Sequence, residues 1–173
     1  MKNSPLIYLS LLLLTLFAVS CSSGRSEQST SQAELEQAPD FEVTTIDGET
    51  ISLQSSLDDG KPVVIYFTAS WCPTCAQNWP AMSEVYPEFE DRLTLVSISI
   101  DPTDDAETMK ALADEENFQF PSTHGMPEIM LSFNVSSQAT TVGVNRDGYI
   151  EFRRNNVALS ADEYRELFTK LVD

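Results

Sequence analysis

The stretch Pro62-Val63-Val64-Ile65-Tyr66-Phe67-Thr68-Ala69-Ser70-Trp71-Cys72-Pro73-Thr74-Cys75 decides how this 173-residue chain folds. Val63 to Phe67 is an unbroken β-branched and aromatic run, which is how a strand buried on both faces reads. Pro73 stands where a helix can begin, because at the first helical position its missing N–H costs nothing. A helix is expected from Pro73 to about Phe89, with Pro80 inside it as a kink. Cys72 and Cys75 therefore sit at a strand-to-helix junction.

That position has chemical consequences. The first turn of a helix carries unpaired N–H groups and the positive end of the macrodipole, and both favour a thiolate over a thiol. Such a cysteine can have its pKa lowered from about 8.5 into a range of about 3.5–7.5. Cys75 lies one turn after Cys72, close enough to close a small disulfide ring. Cys72 is expected to be the exposed, attacking sulfur, and Cys75 the more buried, resolving one.

The third cysteine, Cys21, belongs to a different segment. Lys2 supplies a positive start, and Leu6 to Phe17 is an apolar run of twelve residues. As a helix it would cover roughly 18 Å, short of the ~30 Å hydrocarbon core, so it reads as a signal-peptide core and not a spanning helix. Ala18-Val19-Ser20-Cys21 resembles a bacterial lipobox, which implies lipidation at Cys21; Ala18 stands where such motifs usually have Leu. With Cys21 lipidated, the remaining cysteines make one pair and none is left over. Residues up to about Ala38 are rich in Ser, Gln and Glu and bury too little apolar surface to order themselves. The expected organisation is a signal peptide over 1–20, a tether over 21–37 and one domain over 38–173.

Within the domain, Phe41 to Thr45, the turn Ile46-Asp47-Gly48-Glu49 and Thr50 to Leu53 predict a hairpin. Leu93 to Ile100 is a second buried-strand run. Asp104 to Asn117 reads as a helix, with Asp104 and Asp105 at its start and Met109, Leu112 and Ala113 on one face. Gly125 to Phe133 is a shorter helical candidate. Thr140 to Val144, the turn Asn145-Arg146-Asp147-Gly148, and Tyr149 to Arg153 form another hairpin. Ser160, with Glu163 three residues on, is a capping box for a last helix to Val172, whose core face is Tyr164, Leu167, Phe168 and Leu171. This order predicts an α/β, thioredoxin-like fold: a central mixed sheet flanked by helices, with an added N-terminal β-hairpin.

Ala38-Pro39-Asp40-Phe41, Asp47-Gly48, Gly60-Lys61-Pro62 and the stretch from Val64 to Cys75 together resemble the TlpA/ResA-like branch of the thioredoxin superfamily. The resemblance runs from about Ala38 to Asp173. It implies an extracytoplasmic thiol–disulfide oxidoreductase, with cytochrome c maturation or copper-site assembly as the setting for its partners. Trp71, Pro73, Thr74, Gln138 and Ala139 would then form the substrate-binding surface around Cys72, with Gln138 and Ala139 on the opposing loop.

Three residues depart from the family pattern. Tyr66 stands where thioredoxin has a buried acid, six residues before the first cysteine, so a carboxylate proton relay is missing. Asn78 replaces a Glu found three residues after the second cysteine in ResA-like reductases, and Asn does not titrate. Ala139 replaces the cis-proline of the loop facing the cysteines. A cis bond before a non-proline residue costs roughly 3–4 kcal/mol, against about 0.5–1 for proline, so Ala139 is expected to be trans. Substrate docking should change accordingly, and the thiols should be more open to soft metals.

Rival readings use the same residues. Zinc needs four ligands, and the chain has no second Cys pair and one histidine, His124. Haem attachment needs His after Cys75, where Ala76 stands. A bridge across two residues closes too short a loop to be a strong structural staple, about 1–2 kcal/mol. A peroxidase would want Thr three residues before the cysteine, where Ala69 stands. His124, Met126 and Met130 suit Cu(I), so a copper-binding metallochaperone or a non-catalytic binding module is the alternative, although Met at helical spacing also fills cores. Twenty-seven acidic against ten basic residues give a net charge of −17, which repels nucleic acid. The chain is thus expected to exchange disulfides with protein partners through Cys72 and Cys75, without a cofactor or metal, on the periplasmic or cell-surface side of a membrane that holds it by lipid.

Overall fold

The computed structural model describes residues 35–173; the expected signal peptide, Cys21 and nearly all of the tether lie outside the described residues. A two-stranded antiparallel sheet comes first, β1 (Glu42–Thr44) and β2 (Thr50–Ser52), with Val43 opposite Ile51. Gly48 takes φ +85° in the intervening turn, a conformation that glycine enters without a Cβ clash. Leu53 does not continue β2 as expected. The Ser52 hydroxyl instead captures the Ser55 N–H at 3.1 Å and starts a short helix, α1 (Leu53–Asp58).

The main sheet has five strands: β3 (Val63–Thr68), β4 (Thr94–Ser99), β5 (Ser122–Gly125), β6 (Thr140–Val144) and β7 (Ile150–Arg154). Their spatial order is β5-β4-β3-β6-β7, parallel on the β3–β4–β5 side and antiparallel from β3 through β6 to β7. Ahead of β1, Gln37 bridges to Tyr149, and the Ile150 N–H donates to the Glu36 carbonyl at 2.8 Å. The helices are α2 (Pro73–Val85), α3 (Ala106–Glu115), α4 (Pro127–Ser132) and α5 (Ala161–Val172). The helix expected to reach Phe89 ends at Val85 and tightens into a 3₁₀ turn over Tyr86–Glu88.

Two further expectations are corrected. Helix α3 begins at Ala106, not Asp104: the Asp105 carboxylate caps it by accepting the Thr108 N–H at 2.8 Å, and Asp104 turns inward. The candidate helix from Gly125 splits, since Ser122 to Gly125 forms β5 and the helix proper starts at Pro127. At the C-terminus the Ser160–Glu163 capping box is present, and Tyr164, Leu167, Phe168 and Leu171 are buried as expected.

Alternation along β3 divides two apolar layers. Val64 and Tyr66 face α2 and α5 and pack with Leu95, Trp79, Met82, Tyr164 and Phe168. Val63, Ile65 and Phe67 face the other way, toward Val96, Ile98, Val142, Phe41 and Phe133. Burying a side chain of this size is worth about 1.5–3 kcal/mol. On the α2 side the hydroxyls of Tyr66, Ser97 and Ser122 are buried without a protein partner. A group left so costs about 1–3 kcal/mol unless something else satisfies it.

Candidate active site

Strand β3 runs straight into the cysteine segment, and the Cys72 N–H is fixed on the Ala69 carbonyl at 3.1 Å. Cys72 is the N-cap of α2 and Pro73 its first residue. The Cys72 sulfur accepts the Cys75 N–H at 3.1 Å, and the Cys72 carbonyl accepts that of Ala76 at 3.1 Å. The sulfur that caps the helix is therefore held at the positive end of a 13-residue helix, where a thiolate gains most. The two cysteines are joined in a disulfide, with Cα atoms 5.2 Å apart.

Cys72 is less open than expected. It retains 2% exposure and Cys75 none, so in the oxidised form both cysteines are buried. The exposed side chains beside them are Trp71, at 59%, and Pro73. Thr74 is half-buried between the cysteines.

Trp71 is held in place although it is exposed. Its indole N–H donates to the Asp101 carboxylate at 2.6 Å. Asp101 also accepts the backbone N–H and the hydroxyl of Thr103, at 2.8 and 2.7 Å. Hydrogen bonds from Thr103 and then from Trp71 hold the Asp101 carboxyl below the ordinary carboxylate range. A Cβ on Gly125 would collide with the Asp101 carbonyl oxygen, so only glycine lets β5 pass this close.

Behind Trp71, the buried Asp104 carboxylate accepts from the Ser70 N–H at 2.9 Å, the Ser70 hydroxyl at 2.6 Å and the Ser99 hydroxyl. Neither aspartate was expected in the site. The Asp101-Pro102-Thr103-Asp104-Asp105 run is the only signal, and from sequence it reads equally as a helix start.

On the other side of the disulfide, Ala139 is buried with a trans peptide bond and φ +54°. Its carbonyl accepts the Val157 N–H at 3.1 Å. Val157 itself answers to Asn78, whose side-chain amide donates to the carbonyls of Thr74 at 3.0 Å and Val157 at 3.1 Å. The Asn78 side-chain oxygen accepts the Leu159 N–H at 2.9 Å and the Tyr164 hydroxyl at 2.8 Å. Asn78 is thus the joint between α2, the segment before α5, and the loop carrying Gln138 and Ala139. Gln138 is half-buried beside Ala139. Val157, exposed at 37%, is a site residue that no sequence signal marks.

Tyr66 lies inside the α2 face with Asn78, Thr68 and Tyr164 around its ring end, and burial pushes its pKa up. It stays a neutral phenol at any ordinary pH. The Thr68 hydroxyl is taken by the Trp79 indole N–H at 3.1 Å.

The copper candidates differ in exposure. His124 is exposed with a ring nitrogen 3.1 Å from the Gly125 carbonyl, and Met126 and Met130 pack against the second apolar layer. Among the described residues no group of three or more His, Cys, Asp or Glu side chains is placed to hold a metal ion.

Comparison with known proteins fits this geometry. Residues 35–153 match the AhpC/TSA family. The chain is 35% identical over 117 residues to thioredoxin-like protein YneN of Bacillus subtilis (strain 168), covering 67% of this chain and 68% of that protein. It is 27% identical over 137 residues to thiol-disulfide oxidoreductase ResA of Bacillus thuringiensis subsp. konkukian (strain 97-27), covering 77% of each. The structure of a secreted Mycobacterium tuberculosis disulfide oxidoreductase homologous to E. coli DsbE superposes with a TM-score of 0.65 at 29% identity, covering 76% of this chain and 96% of that one.

Proposed function

The chain belongs to the AhpC/TSA family, and on that premise we propose that this thiol–disulfide oxidoreductase works outside the cytoplasm on cysteines of partner proteins, held to the membrane by lipid on Cys21. The observation that carries the reading is the Cys72–Cys75 disulfide at the N-terminus of α2, beside an exposed and tethered Trp71. Within the family, Ala69 in place of Thr three residues before Cys72 favours disulfide exchange over peroxide reduction.

In the reductive direction the Cys72 thiolate attacks a partner disulfide, the partner's S–S bond breaks with its electron pair leaving on the partner's second sulfur, and a mixed disulfide forms. Cys75 then attacks the Cys72 sulfur of that mixed disulfide, closing the Cys72–Cys75 bond and releasing the partner reduced. Trp71, Pro73 and Thr74 on one side and Gln138 and Ala139 on the other receive the partner's segment. The tether over 21–37 gives the domain over 38–173 its reach from the membrane. The secreted Mycobacterium tuberculosis oxidoreductase supports an extracytoplasmic setting, and the TlpA/ResA-like resemblance points to cytochrome c maturation or copper-site assembly as the setting of the partners.

The reduction potential of the pair, measured by equilibration with glutathione or dithiothreitol, tests this reading. A value above about −300 mV is expected, and a value below it would mark an inert bridge. Anchoring is tested by Cys21→Ser, which should lower the mature mass by the lipid and move the protein out of the membrane fraction; an unchanged mass and fraction would refute it.

A further inference from the structure

The strand register lines up the unpartnered hydroxyls. Tyr66 pairs with Ser97 on one side and Thr141 on the other, and Ser97 pairs with Ser122. In-register neighbours project to one face, here the face under α2 and α5. One level back, the same face is apolar, with Val64, Leu95 and Phe152. One level on toward the cysteines, Thr68 and Ser99 are taken by Trp79 and Asp104, so the unpartnered hydroxyls lie at one level of the sheet. Thr141 has the Tyr164 hydroxyl at 3.3 Å, but Tyr66, Ser97 and Ser122 are buried side by side with no partner. Water is the smallest group that can serve three hydroxyls as donor and acceptor.

The same level matters to Cys75. Its sulfur leaves as a buried thiolate when the disulfide is reduced, and needs a proton. Asp104, the one buried carboxylate among the described residues, is taken up by Ser70 and Ser99. Asn78 is saturated and cannot titrate. Tyr66 lies against Asn78, one helical turn from Cys75, and no neighbour meets its hydroxyl in hydrogen-bond geometry.

We propose that Tyr66, Ser97 and Ser122 bind internal water, and that this water protonates the Cys75 thiolate when a partner dithiol reduces the disulfide. The inference rests on the exchange reading above. A partner thiolate bonds to the Cys72 sulfur, the S–S bond breaks, and its electron pair leaves on Cys75. Water in the row gives that sulfur a proton and recovers one from solvent at β5, the edge strand that carries Ser122.

The test is stopped-flow reduction of the full chain by dithiothreitol in H₂O and D₂O, comparing wild type, Tyr66→Phe and a Ser97→Ala, Ser122→Ala double variant. Both variants should be reduced on the order of 10-fold more slowly, with an altered solvent isotope effect. Wild-type rates and isotope effects in both would overturn the proposal. If Tyr66→Phe does not fold, the double serine variant decides alone, since it removes only two hydroxyl groups. A crystal structure at atomic resolution should show water bonded to at least two of the three hydroxyls, and a dry row would overturn the binding site. A wild-type disulfide that dithiothreitol cannot reduce would instead remove the exchange reading itself.

Discussion

The Val157 N–H donates to the Ala139 carbonyl at 3.1 Å, and Ala139 holds φ +54°. Where the resembling family has a cis-proline, this chain has a trans alanine in the left-handed region, tied to the segment before α5. Left-handed backbone costs a non-glycine residue about 1–2 kcal/mol. Ala139→Gly removes that strain but frees the unfolded chain and deletes a buried methyl, so stability should change by less than about 1 kcal/mol. Ala139→Pro cannot adopt this φ and should destabilise by more than about 1 kcal/mol. Urea unfolding of the two variants checks the pair of outcomes.

Asn78 makes four hydrogen bonds, two of them fully buried, that tie α2 to the segment before α5 and to α5 itself. Asn78→Ala leaves the Leu159 N–H and the Tyr164 hydroxyl without their acceptor. A loss of about 2–4 kcal/mol is expected in urea unfolding. Hydrogen exchange at Val157 should rise as well, because Asn78 holds its carbonyl and hence the loop that reaches Ala139.

Asp104 fixes Ser70 through both its N–H and its hydroxyl, two residues before Cys72. Asp104→Ala strands the half-buried Ser70 N–H and the buried Ser99 hydroxyl, and about 2–4 kcal/mol should be lost. Ser70→Ala removes one donor and leaves the others paired, so its cost should be near 1 kcal/mol. Equal losses in the two variants would contradict this ranking.

The Trp71–Asp101 bond should be pH-dependent on the acid side. Thr103 and Trp71 hold the Asp101 pKa below its ordinary value, so the bond is intact above the carboxylate range and is lost as pH falls through the lowered value. Trp71 fluorescence should therefore be flat at neutral pH and change only below about pH 4. Asp101→Asn should abolish that change, while the buried Trp79 provides a constant background.

Much of this architecture can be read from residues whose local pattern and tertiary role agree. Val63 to Phe67 reads as a buried strand because both of its faces are covered, and Cys72-Pro73 reads as a helix start because it is one. Ser122-Thr123-His124-Gly125 carries no strand signal; it is a strand because β4 offers an edge and Gly125 can pass Asp101. The six residues of α1 are too few for a helical period, and their helix depends on the Ser52 cap. Asp104 looks like a helix-starting acid, and only the fold shows it buried against Ser70 and Ser99. Val157 and the hydroxyl row are brought to the site by long-range register, which no local window contains.

The central claim is that Cys72 makes the covalent bond to a partner and Cys75 breaks it. A Cys75→Ser variant purified from the native host should carry a protein partner on Cys72, released by dithiothreitol, and Cys72→Ser should carry none. A Cys75→Ser protein with no adduct, or equal adducts in both variants, would contradict it.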